Sequence, residues 1–432
     1  MSPDGRAPLA SIPVAVLLPS RREDEAARVT EPLRLLAQVT LAAGIEYLLV
    51  QDARGVTYGV PAVAGPQGWR RATAGDGAAE ALVSVLATGT GGQGGLEPTT
   101  FHAEPAHGER AIDVDQTNEL VVVGDVAVVK WMLHPVAGEQ PGPRRLMTLA
   151  RAGFEGTPRT WALVHLPVGE DRVLVATVSD YVPGAEDGWD WAVRDVRQVA
   201  LGERSAVKVL DEVRQVARLV ARLHVALAEG GVDRATPEDA ADWLAGAEAD
   251  LVDADLAPDV AAQVRDRITV LGRSADTETI DVHGDLHIGQ VLAAGEPRQY
   301  SVIDFDGNPT QGDLERLRRQ PAARDVAGML ASWDHVGRVV LHRTAGLDEA
   351  AVERVLDWID RAQEAFLEAY REELADEGRS SLLDESLLVA MQVQQECREY
   401  AYAARYLPHW RYVPDAALPA LLCRPPHEME TR

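Results

Sequence analysis

The sequence predicts an α+β fold, with a β-rich first part and a mostly helical second part. Three observations predict it. Before residue 180, short β-branched and apolar runs are broken by Gly and Pro, the mark of strands and turns. After residue 205, apolar residues recur at steps of three and four over long stretches. The order, strands first and helices later, favours segregated layers over an alternating parallel sheet. At ~100–200 residues per domain, a chain of 432 residues also allows more than one core.

The first part, residues 1–110, reads as a unit of its own. Ile45–Val50, Val56–Val63 and Ala81–Ala87 read as strands. Gly89–Gly95 reads as a loop or linker. Its glycines are not followed by Lys-Ser or Lys-Thr, so a phosphate loop is disfavoured. A second unit, 111–182, opens with a hairpin. Leu120–Val123 and Val126–Met132 are β-branched runs flanking Gly124-Asp125, a two-residue turn. A helix over Arg144–Ala152 and a strand over Val173–Val178 follow, and Pro183-Gly184 ends that stretch. The third unit, 183–432, is helical. Leu210, Val213, Val216, Val220, Leu223 and Leu227 make one apolar face of a long helix. The same period returns over Val326–Leu341, Ala351–Leu374 and Leu387–Arg405.

Charge narrows the function. Lys and Arg number 42 and Asp and Glu 68, a formal net charge of −26. No basic run of five or more is present, so nucleic acid and anionic membrane surfaces are poor partners. Such a chain is expected to meet anions through a metal ion. Two cysteines, Cys397 and Cys423, cannot build a disulfide framework. The longest apolar runs, such as Ile12–Pro19, fall far below the ~18 residues of a membrane span. No secretory leader pattern is read, so the expected location is cytoplasmic.

Chemistry concentrates in Asp281–Asp306. A polar loop, His283-Gly284-Asp285-Leu286-His287-Ile288-Gly289-Gln290, precedes the short run Val291-Leu292, and a turn leads to Tyr300–Ile303 and Asp304. A hairpin between these runs brings Gln290 and Asp304 to one end, with Asp285 on the loop beside them. Phosphoryl transfer needs such a set: one carboxylate facing the acceptor hydroxyl, and hard oxygen ligands for Mg²⁺ on the phosphates. Asp306 lies two residues past a metal ligand. Side chains alternate in extended chain, so Asp306 can reach an acceptor. His283 is expected to brace the loop rather than act as a base. His287 either contacts the acceptor or caps the loop.

These residues resemble the catalytic loop of aminoglycoside-phosphotransferase-like kinases, H-G-D followed by an amide ligand and a later Asp on a strand. With Gln290 as the amide, HGDLHIGQ and DFDGNP are similar to the actinobacterial glucosamine kinases and maltokinases, as is Arg324-Asp325-Val326-Ala327-Gly328-Met329-Leu330. The resemblance covers roughly residues 112–412, and more loosely an N-terminal cap over 1–110. It implies a two-lobed protein-kinase-like fold, ATP as co-substrate and Mg²⁺ as cofactor. Asp285 then orients and deprotonates a sugar hydroxyl, while Gln290 and Asp304 hold the metal. Lys130, on the second hairpin strand, takes the ATP phosphates. Gln116 and Asn118 stand where this group covers the nucleotide, and Ser179 and Tyr181 where the hinge receives adenine. Glu399 and Trp410 fall in a helix and loop that line the sugar site, although each also reads as an ordinary solvated or core residue.

The resemblance further implies a small sugar as acceptor, D-glucosamine phosphorylated at its 6-hydroxyl. Asp306 is the first carboxylate for its ammonium and Glu399 the second. Maltose, an aminoglycoside, or no reaction at all on a regulatory kinase scaffold are the alternatives, in that order. A monomer or weak homodimer is expected. One departure stands out: the helix after Lys130 should carry a Glu that pairs with the lysine, and Arg144 occupies that position, with Glu139 the nearest carboxylate.

Overall fold

The computed structural model describes residues 17–19, 22, 25, 27–65, 68–89, 95–112 and 118–423. They divide into two compact units. One comprises the described part of Met1–Glu139 together with Pro158–Pro183; the other comprises Gln140–Thr157 and the described part of Gly184–Arg432.

The first unit holds two antiparallel sheets. Strands β1 (Arg34–Ala42), β2 (Ile45–Gln51), β3 (Thr57–Gly65) and β4 (Gly68–Arg71) lie side by side in chain order. Both faces of β2 are covered, which is why Tyr47–Val50 within it reads as an unbroken apolar run. Its Leu48 and Val50 join Tyr58 and Val60 in one cluster, while Tyr47 and Leu49 join Leu82, Leu86 and Val129 in another. Helix α1 (Ala78–Thr88) follows. Ala81–Ala87 was expected to be a strand, and this is a correction. Ala78, Ala79, Leu82, Val83 and Leu86 are buried at helical spacing, between Gly77 and Gly89 in left-handed conformation. Alanine-rich sequence and the three-and-four spacing outweigh the apparent apolar run.

Strands β5 (Glu97–Thr100), β6 (Glu109–Ala111), β7 (Glu119–Val123), β8 (Ala127–Trp131), β9 (Thr160–Val168) and β10 (Asp171–Asp180) form the second sheet, in the order β5-β9-β10-β8-β7-β6. The expected hairpin is β7–β8. Gly124 and Asp125 both have positive φ, 61° and 50°, as a type I′ turn requires. The expected boundary near residue 110 runs through this sheet, because β5 and β6 pair with β9 and β7.

In the second unit, helix α2 (Pro141–Ala152) precedes in sequence α3 (Gly188–Ala200), α4 (Ala206–Ala228), strand β11 (Asp233–Arg234), α5 (Pro237–Asp253) and α6 (Pro258–Ile268). Strand β12 (Glu278–Thr279) pairs with β11, and β13 (Val291–Ala294) pairs with β14 (Gln299–Val302). Helices α7 (Asp313–Arg316), α8 (Ala323–Arg343), α9 (Glu349–Asp376), α10 (Leu388–Arg405) and α11 (Tyr412–Leu422) complete it. The apolar face of α4 is buried as its period requires, and α4 packs on α9 while α8 packs on α9 and α10. Trp191, Trp333 and Trp358 fill the middle of this core. The Trp191 indole also donates to the Val291 carbonyl at 3.0 Å, which fixes the β13–β14 hairpin on α3. Among the described residues no helix is long and apolar enough to cross a membrane.

Candidate active site

The loop between β12 and β13 is held by one face of α8. Asp325, Gly328 and Ser332 follow one another at helical spacing. The buried Asp325 carboxylate accepts from the backbone N–H of His283 at 2.6 Å and of Gly284 at 2.9 Å. Gly328 gives the loop room: a methyl there would lie 2.4 Å from the Leu286 carbonyl oxygen. Ser332 Oγ accepts from Ile288 N–H at 3.1 Å. Asp285 sits in the middle of this anchored segment.

The hairpin does what the sequence predicts. Val291 is opposite Val302, and Ile303 N–H donates to the Gln290 carbonyl at 3.0 Å, so Gln290 and Asp304 share one end. His283 braces the same corner. Its Nε2 donates to the Ile303 carbonyl at 2.8 Å, which leaves Nδ1 to accept from Asp285 N–H at 3.4 Å. Asp304 is exposed and has a φ of 65°, a conformation that costs a non-glycine residue about 1 kcal/mol or more. Strain of that kind concentrates where a side chain must be aimed.

Burial raises the Asp285 carboxyl above the ordinary carboxylate range. The imidazoles of His287 and His283 oppose the shift, and the charges of Asp304 and Asp325 add to it. A raised pKa makes a carboxylate a better proton acceptor near neutral pH. His287 is held below the ordinary imidazole range by burial, against the pull of Asp285. Its Nδ1 accepts from Gly289 N–H at 3.1 Å, so the capping role is realised. Its Nε2 lies 3.4 Å from the Gln290 amide nitrogen.

An aromatic cluster adjoins His287. Trp189 packs over the 287–289 turn, its ring 6.4 Å from that of His287 and 5.7 Å edge-on from Trp410. Trp410 Nε1 donates to Glu399 Oε2 at 2.9 Å, and Gln395 donates to Glu399 Oε1 at 3.1 Å. Behind Trp410, His335 and Glu396 form a buried pair at 2.8 Å. Burial alone would depress His335, but the Glu396 carboxylate raises it to about 9. The structure thus brings Glu399, Trp410 and His287 together through Trp189. It places Asp306 differently, with its carboxylate against Gly142 in the first turn of α2, where helix N–H groups favour an anion.

Arg144 is not available as a stand-in for the expected glutamate. It pairs with the buried Asp281 and donates to the Leu317 carbonyl at 2.5 Å. Its neighbour Arg145, 2% exposed, donates to the carbonyls of Phe305 at 2.7 Å and Arg316 at 3.0 Å. Both arginines therefore fasten α2 to the segments that carry Asp285 and Asp304.

In the first unit, Lys130 lies on β8 between Thr177 of β10 and Leu120 of β7, half-buried beside the buried Val129 and Trp131. Asn118 Oδ1 accepts from Leu133 N–H at 3.2 Å. Ser179 is still within β10, opposite Val128, so the strand runs further than Val173–Val178. Tyr181 N–H donates to the Val126 carbonyl at 2.8 Å, and its ring lies under the Arg110 guanidinium at 4.6 Å. Gln116 lies outside the described residues.

Sequence reasoning assigned no role to Trp189, Asp325, Ser332, His335 or Glu396. The polar residues Asp325, Ser332 and His335 recur at helical spacing among the buried, mostly apolar positions of α8. That is a signal of a buried polar seam, but it does not say what the seam meets.

The model of the phosphotransferase enzyme family matches residues 170–383. A glucosamine kinase of Streptacidiphilus jiangxiensis is 44% identical over 98% of this chain and 99% of its own length. A glucosamine kinase of Mycolicibacterium smegmatis (strain ATCC 700084 / mc(2)155) is 42% identical over 84% of this chain and 92% of its own. A glucosamine kinase solved in complex with glucosamine, ADP and inorganic phosphate superposes with a TM-score of 0.84 at 41% identity, covering 96% of this chain and 98% of that one. With this coverage, and with the anchored HGD loop and the Gln290–Asp304 hairpin in place, the chain belongs to the phosphotransferase enzyme family and, within it, to the glucosamine kinases.

Proposed function

We propose that the protein transfers the terminal phosphoryl group of ATP to the 6-hydroxyl of D-glucosamine. One observation carries the assignment of roles: Asp285, its basicity raised, sits on a loop whose backbone is fixed from α8, beside a hairpin end that carries Gln290 and Asp304. Asp285 accepts the proton of the sugar hydroxyl as that oxygen bonds to phosphorus and the bond to ADP breaks. The raised carboxylate suits this step, and the backbone anchoring suits the positioning on which phosphoryl transfer depends.

The donor set fits Mg²⁺. An amide oxygen and a carboxylate are hard ligands, and Mg²⁺ is usually held by one or two protein groups together with substrate phosphates. Gln290 and Asp304 would hold the ion, which supplies charge neutralisation on the phosphates. Lys130 takes the phosphates directly as a compact cation. Asn118, Ser179 and Tyr181 bind the nucleotide, with Gln116 in the same role.

For the sugar, the Trp410 ring offers an apolar face to a pyranose, and Glu399 offers a carboxylate fixed by Trp410 and Gln395. The packing of Asp306 against α2 makes Glu399 the stronger choice for the ammonium, with His287 facing the hydroxyls. The test is kcat/KM for glucosamine, glucose and maltose on the parent and on Glu399→Gln. Glucosamine should be preferred strongly over glucose, because a site built around a charged group is left with an unpaired carboxylate when that group is missing. The variant should narrow the preference by damaging glucosamine. Maltose as the best acceptor would overturn the reading.

A further inference from the structure

We infer that His224 and Tyr370 are positioning residues for the catalytic loop, acting through Asp325. This rests on the reading of Asp285 as the proton acceptor. His224 on α4 and Tyr370 on α9 are fully buried, and Asp325 is 1% exposed. His224 Nε2 lies 3.1 Å from Asp325 Oδ2, and its Nδ1 lies 2.6 Å from the Tyr370 hydroxyl. A carboxylate only accepts, so Nε2 carries the proton and donates to Asp325, while Nδ1 is hydrogen-bonded to the Tyr370 hydroxyl. The hydrogen-bonded chain is continuous, from Tyr370 through His224 to Asp325.

It ends on the loop. The Asp325 oxygen that accepts from His224 also accepts from His283 N–H at 2.6 Å, and the other oxygen takes Gly284 N–H at 2.9 Å. The His283 ring then bonds Asp285 N–H and the Ile303 carbonyl, one residue before Asp304. Burial disfavours the charge on Asp325, but the donors from His224 and the loop hold its carboxyl below the ordinary range. A core between α4 and α9 has no need of this arrangement. Leu or Phe would pack there without the cost of about 1–3 kcal/mol for each buried polar group left without a partner. The polar chain is placed where its last member sets the loop's backbone.

The test compares His224→Ala, His224→Gln, Tyr370→Phe and, as a packing control, Leu374→Ala, a buried residue one turn on from Tyr370. Unfolding midpoints, kcat and both KM values are measured well below the lowest midpoint. Loss of a supporting partner behind a functional group typically costs 10–100-fold, so kcat of His224→Ala should fall by about that much with KM for glucosamine and Mg-ATP within about twofold. His224→Gln, whose amide can donate to Asp325, should recover most of the loss, and Tyr370→Phe should lose about threefold. Leu374→Ala should lower the midpoint and leave kcat alone. The inference fails if kcat follows the midpoint across all four variants, or if Gln is no better than Ala. Asp285→Asn on the parent separates the two readings: near-full kcat there overturns the base assignment, whereas loss there with normal kcat in His224→Ala overturns the positioning role alone.

Discussion

Gly328→Ala sets two effects of known size against each other. In a helix interior Ala is favoured over Gly by about 1 kcal/mol, so propensity alone predicts a more stable protein. The new methyl would lie 2.4 Å from the Leu286 carbonyl oxygen, whereas ordinary contact begins near 3.4 Å. Helix or loop must therefore retreat by about 1 Å, and overpacking of this kind costs about 1–3 kcal/mol. The net loss of stability is then about 0–2 kcal/mol, a small effect. The catalytic effect is larger, because the atom struck is backbone, adjacent to Asp285. A misplacement of about 1 Å can cost about 10²-fold in rate. Urea unfolding and steady-state kinetics should thus show a slightly destabilised enzyme with kcat down about 10²-fold and KM for Mg-ATP little changed. Gly337→Ala is the matched control on the same helix. Its methyl meets side-chain carbons and no backbone: Ile359 Cγ1 and Cδ1 at 2.4 and 2.5 Å, which must shift, and Val355 Cγ1 at an ordinary 3.5 Å. Parent-like kcat in Gly328→Ala, or an equal loss in Gly337→Ala, would refute the idea that α8 sets the loop.

Two other outcomes follow from the site. Asp304→Ala should weaken the Mg²⁺-dependent part of nucleotide binding more than Gln290→Ala does, because only the first loses a formal charge; equal Mg-ATP titrations of parent and Asp304→Ala by calorimetry would remove the metal assignment. The His335–Glu396 pair should make stability depend on pH. His335 titrates near 9 when folded and near 6.5 otherwise, so its contribution is full below about pH 6.5 and is lost as pH rises through about 9. The shift amounts to at most about 3 kcal/mol, and burial of Glu396, which raises that carboxyl, subtracts from it. Urea unfolding between about pH 6.5 and about pH 9.5 should show the decline in the parent and a flatter curve in His335→Gln.

Much of this was legible where local pattern decides structure. The β7–β8 hairpin follows from two β-branched runs around Gly124-Asp125, and the β13–β14 hairpin from two short runs after the HGD loop. The period of α4 places all six of its expected apolar residues in the core. Legibility failed in two physical situations. Ala81–Ala87 is too short and too apolar for period two and period 3.6 to separate by eye, and the glycines at its ends were the better guide. Asp306 was placed by alternation along an extended chain, but the chain does not stay extended after Asp304. Positive φ at Asp304 and at Gly307, 75°, turns it, and the carboxylate meets α2.

The least legible feature is the one that organises the site. Asp325, Gly328, Ser332 and His335 lie on one face of α8 and read in order along the functional groups: loop backbone at His283 and Gly284, the Leu286 carbonyl, Ile288, then the His335–Glu396 pair behind Trp410. One rigid helix therefore spaces Asp285, the proposed proton acceptor, from the candidate sugar-binding cluster at its own rise of ~1.5 Å per residue. A helix cannot lengthen or shorten between Asp325 and His335, so the distance between the two groups is set by packing that contains neither. The partners of those four residues lie more than forty positions away in sequence, at 224, at 283–288 and at 396. No local propensity encodes such partners. What the sequence does carry is the cost of leaving polar groups buried on an apolar face, and that cost is the physical reason to look for a site opposite them.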